Sequence, residues 1–157
     1  MKLRNFYSIS NSGNKQCRRG ASVVEAAIVL PVLLMVLMVA LDLALMVLEY
    51  NTLAEGSRKL ARAASLRGEY SEPEITSWGP ETYSSSIAED SVQTQIVKPI
   101  CVTMPHQEVT VQLEWLDGVN EADSRVKATV SYVHQPVFGL LGADLPMQSS
   151  SVVRIRH

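Results

Sequence analysis

Residues 17–48 read CRRGASVVEAAIVLPVLLMVLMVALDLALMVL. Two arginines and a glycine lead into an apolar stretch with one acid near its start, Glu25, and another toward its end, Asp42. From Ala26 to Leu48 the run is 23 residues long, broken only by Pro31 and Asp42. As a helix it covers roughly 34 Å, enough for a hydrocarbon core of about 30 Å. A cleavable secretory signal has an apolar core of about 7–15 residues followed by a small-residue cut site. This core is too long and no convincing A-x-A site follows, so the stretch reads as a retained membrane span.

The charges point the same way. Residues 1–20 hold Lys2, Arg4, Lys15, Arg18 and Arg19 and no acid, whereas all sixteen acids lie at or beyond Glu25. Basic residues beside a span hold that end in the cytoplasm. The remainder carries nine basic against sixteen acidic side chains, which excludes the basic face a general nucleic-acid binder needs. Cys17 and Cys101 are the two cysteines. If a membrane separates them they cannot pair, and Cys101 is expected as a buried, inert thiol, with an intermolecular disulfide as the alternative.

Beyond the span the helical pattern continues as NTLAEGSRKLARAASLRG, residues 51–68. Leu53, Ser57, Leu60, Ala61 and Ala64 share one side, and Glu55, Arg58, Lys59 and Arg62 fall mainly on the other. Gly56 weakens the helix, and Gly68 is a natural C-cap. The expected helix covers residues 21–67, about 65–70 Å. Loop-like sequence follows, with a short helix expected around Ser84–Asp90. The period then changes to two. Val109, Val111, Leu113 and Trp115 alternate with polar residues, as do Val126, Ala128, Val130 and Tyr132. Pairing Trp115 with Val126 puts both apolar sets on one face and Glu114 opposite Lys127. Strands near Val92–Val97 and Ser150–Ile155 complete the expected antiparallel sheet, covered by the Leu53–Ala64 face. The expected fold is α+β: a long N-terminal helix, transmembrane in its first half and amphipathic in its second, packed on a small antiparallel sheet. Three segments result: a basic leader at 1–20, the helix at 21–67 with its span at 26–48, and a head at 68–157.

Glu25 has two readings. Ser22-Val23-Val24-Glu25 is a capping box, S-x-x-E ahead of an apolar run. Alternatively the basic pair, Gly20 and the acid form a prepilin-peptidase site, with the cut between Gly20 and Ala21. Asp42 reads either as an interfacial acid reaching the headgroups or as a contact for a partner helix or secretion machinery. Pro31 removes one helix hydrogen bond. Trp78 and Tyr83 are expected to pack on the core. His106, His134, His157 and Cys101 form no HExxH, CxxC or triad spacing. No metal, cofactor or catalytic site is expected.

RRGASVVEAAIVLPVLL, with Asp42, Asn51 and the small-residue helix after it, resembles the TadE-like family of Tad (tight adherence, Flp-type) pilus biogenesis. VKATVSYVHQPVFGLLG resembles the family's strand and proline-containing turn more weakly. The resemblance implies a pilin-like minor pseudopilin, with Gly20 before the cut and Glu25 pairing with a neighbouring subunit's free amine. It departs at Ala26, where the family usually has an aromatic, and this bears on processing. The implied partners are a prepilin peptidase, other pilins or pseudopilins, an inner-membrane assembly platform and the lipid bilayer. The implied location is the bacterial inner membrane, N-terminus cytoplasmic and head periplasmic, or the pilus itself. The competing expectations are an uncleaved single-pass scaffold whose head binds a partner, and a secreted enzyme.

Overall fold

The computed structural model describes residues 14–69, 76–139, 142 and 144–156, with side chains from Gly20 onward. The order is α1 (Asn14–Ser65), β1 (Tyr83–Ser86), α2 (Val92–Val97), β2 (Thr110–Trp115), β3 (Arg125–His134) and β4 (Leu145–Arg154). The chain divides into two units, Met1–Ala40 and Leu41–His157. In the first, α1 begins at Asn14, inside the basic leader, and continues through Pro31. Its side chains from Gly20 to Met38 are all exposed.

The second unit is α+β. Its four strands form an antiparallel meander in the order β1-β2-β3-β4. The β2–β3 register is the expected one: Trp115 faces Val126 and Glu114 faces Lys127. The latter pair forms an exposed 3.8 Å ion pair, a minor contribution to stability. One sheet face supplies Val111, Leu113, Trp115, Val126, Ala128, Val130 and Tyr132 to the core. Leu53, Leu60, Ala61 and Ala64 of α1 belong to the same core, and Ser57 is buried beside them. Glu55 and Lys59 on the outer side pair at 2.8 Å. Gly56 does more than weaken the helix. A Cβ there would lie 3.3 Å from Val97 Cγ1 and 3.8 Å from Val130 Cγ2, so its absence permits close packing of α1 on α2 and β3.

Two local expectations are exchanged. Residues 83–86 form a strand paired with β2, not the start of a helix at Ser84–Asp90. Residues 92–97 form α2, not a strand. The reason is a capping box: Ser91 Oγ accepts from the Thr94 N–H at 3.2 Å, and Thr94 Oγ1 accepts from the Ser91 N–H at 3.0 Å. Two otherwise orphaned helix donors are satisfied at once, and Tyr83 Oη lies 2.6 Å from Ser91 Oγ. The last strand is longer than expected, starting at Leu145. Helix α1 ends at Ser65, two residues before the Gly68 cap predicts. Ser65 Oγ donates to the Arg62 carbonyl at 2.8 Å.

Asn120 ties the β2–β3 connection to the end of α1. Its Oδ1 accepts from Trp115 Nε1 at 3.0 Å, and its Nδ2 donates to the Arg67 carbonyl at 3.3 Å. The same carbonyl accepts from the Trp78 N–H at 3.0 Å. The Arg67 guanidinium lies 4.4 Å from the Trp78 ring centre, a cation–π contact. Trp78 is buried and Tyr83 packs partly against the core, as expected. Cys101 is fully buried, and burial pushes its thiol up to about 11.

Candidate assembly site on the long helix

The residues singled out on α1 meet different environments. Gly20, Ala21, Ser22 and Glu25 all lie within the helix and are exposed. An added Cβ at Gly20 would meet nothing within 4 Å. An N-cap residue needs non-helical backbone. Ser22 lies eight residues inside α1, so the S-x-x-E pattern is not the start of the helix in the intact chain. The capping explanation for Glu25 therefore fails there, because the helix begins upstream.

Asp42 is different. It is fully buried, its Oδ1 accepting from the Val137 N–H at 3.1 Å and its Oδ2 from the Phe138 N–H at 3.4 Å. The partners lie in the loop after β3, so the acid has an intramolecular task that neither reading of the sequence included. Two helical turns on, Glu49 Oε2 meets His134 Nδ1 at 2.5 Å, with His134 buried and Glu49 largely so. A carboxylate acceptor places the proton on Nδ1. Nε2 of His134 is buried and has no hydrogen-bond partner among the described residues.

Sequence reasoning weighed His134 only for catalytic or metal chemistry and missed Glu49 and the pairing of the two. The available signal was phase. Asp42 and Glu49 are seven residues apart, and Leu53, Leu60 and Ala64 follow on the same helical stripe. The stripe that grips the head thus starts well inside the apolar run. Among the other candidates, His106 is half-buried, and its carbonyl accepts from Ser86 Oγ at 3.1 Å. His157 lies outside the described residues. Among the described residues no group of three or more His, Cys, Asp or Glu side chains is placed to hold a metal.

Gly20–Ser65 is the one segment among the described residues that is long and apolar enough to cross a membrane. With the four-stranded head after it, the architecture is that of a single-pass, membrane-anchored α+β protein. Residues 20–62 match the family described as TadE-like protein. The match relates this helix to Tad pilus-associated proteins, a family of pilus components. It begins at Gly20, where the basic leader ends. Neither the curated proteins nor the solved structures give a significant match.

Proposed function

We propose that this chain is a minor pseudopilin of a Tad (Flp-type) system, inserted in the bacterial inner membrane with its leader cytoplasmic and its head periplasmic. The observation that carries the reading is the family match over residues 20–62, which starts at the glycine of the proposed cut site. Cleavage between Gly20 and Ala21 removes the five leader cations and makes Glu25 the fifth residue of the mature chain. A carboxylate near hydrocarbon costs about 2.5–3.5 kcal/mol at the bilayer centre, and the cationic amine of a neighbouring subunit offsets that cost. Assembly with other pilins then sets Glu25 against such an amine and exchanges lipid contacts along residues 21–41 for helix contacts. The head, with Asp42 holding its β3–β4 loop, determines which component this subunit primes or joins at the inner-membrane platform. This is how the protein serves pilus biogenesis and adherence.

A second reading, an uncleaved scaffold of a secretion complex, is favoured by the continuity of α1 through Gly20 from Asn14. N-terminal sequencing of protein recovered from membranes containing an active prepilin peptidase separates the two. The pseudopilin starts at Ala21, and Gly20→Leu blocks that processing. A chain that still starts at Met1 under those conditions overturns the pseudopilin reading in favour of the scaffold.

A further inference from the structure

The loop after β3 presents an unusual combination. Val137 and Phe138 are 66% and 41% exposed, yet their backbone N–H groups are both committed to Asp42. Asp42 lies in the apolar run, six residues before Leu48, or about 9 Å by helical rise. Its helix neighbours Leu41, Leu43 and Leu45 are exposed. Residues 135–143 contain no charged side chain.

In hydrocarbon a free carboxylate and an unpaired peptide N–H are both costly. Here each satisfies the other, and what the loop turns outward is apolar. In water these two N–H groups could bond to solvent, and nothing would require their burial on an acid in the apolar run. We propose that Val137 and Phe138 insert among the acyl chains beside α1, giving the head a second attachment to the lipid bilayer. Asp42 is then the positioning residue that sets the loop at membrane depth. The inference rests on α1 spanning the membrane and is independent of the pilus role.

The test is nitroxide accessibility in the full chain, reconstituted in phosphatidylcholine vesicles on a Cys17→Ser background, with buried Cys101 left unlabelled. Single labels go at Phe138→Cys, at Val137→Cys as the second tip position, at Leu37→Cys in the span and at Val102→Cys. Val102 is 74% exposed on the head. The ratio of accessibility to oxygen over a water-soluble nickel chelate should be several-fold higher at the tip than at Val102 and should approach that at Leu37. Asp42→Leu should move the tip ratio toward the Val102 value. Tip ratios equal to that of Val102, with Leu37 still reading as lipid, overturn the proposal while leaving the span intact. Spin–spin broadening at the tip that disappears on dilution with unlabelled chain also overturns it, identifying a second copy as the occupant. A water-like reading at Leu37 removes the span and the proposal together.

Discussion

Gly79 carries a prediction whose size can be worked from the structure. Its φ is +86°, and an added Cβ would lie 2.3 Å from Trp115 Cε2 and 2.5 Å from Cζ2. Both atoms belong to a rigid indole that is itself buried in the core. Gly79→Ala must therefore displace the ring, an overpacking cost of about 1–3 kcal/mol. The left-handed backbone adds about 1–2 kcal/mol for any residue with a Cβ. Moving Trp115 also threatens its Nε1 bond to Asn120, about 1 kcal/mol more. The expected loss is about 3–6 kcal/mol, against a whole-domain stability of about 5–15 kcal/mol. Gly118→Ala is the matched control. Its φ is +70°, and nothing lies within 4 Å of an added Cβ, so only the backbone term applies. Urea unfolding of the full chain in detergent, followed by tryptophan emission, reads both. With a slope of about 1–3 kcal/mol per molar urea, the Gly79 variant should unfold at least about 0.7 M earlier than the Gly118 variant. Equal midpoints for the two would refute the packing argument.

Two further outcomes are expected. Cys101 should resist alkylation at pH 8–9 in the folded protein and react readily once urea unfolds it. With the folded value raised from 9.0 to about 11, the thiol's contribution to stability is complete below pH 9 and lost as pH rises through about 11. Native-state alkylation at the denatured rate would contradict this burial. Glu49→Ala leaves His134 Nδ1 buried without its partner, at a cost of about 1–3 kcal/mol. It should lower the melting temperature of the detergent-solubilised chain and bring protease cleavage to the end of β3 and the loop after it. An unchanged melting temperature would mean the pair contributes nothing net.

The parts of the fold that the sequence expresses as a period are the parts that could be read. Leu53, Leu60 and Ala64 recur at helical spacing, and Val111, Leu113 and Trp115 alternate, because each set buries one face of a regular element. The β2–β3 register followed from the same logic, with Glu114 opposite Lys127 as an independent check. VQTQIV, residues 92–97, was illegible by period alone. Its Val, Thr and Ile favour a strand, and the deciding feature is the capping box that Ser91, just upstream, makes with Thr94. For the candidate site, Gly20, Ala21 and Glu25 stand out by charge and spacing. The partners of Asp42 and Glu49 do not, since they lie 95 and 85 residues away. A polar residue on an apolar stripe announces that it needs a partner, and the sequence does not say which.

The head-gripping stripe also divides the circumference of α1 between two uses. From Asp42 onward one side of the helix is occupied by the chain's own loop and sheet, which leaves only the remaining arc for other molecules. From Gly20 to Met38 every side chain is exposed, so neighbouring helices can approach from any direction. In the assembly proposed above, helices could surround residues 20–38 on all sides and only flank the helix from Asp42 onward. The number of neighbours such an assembly would give it is then set by where along the helix they dock.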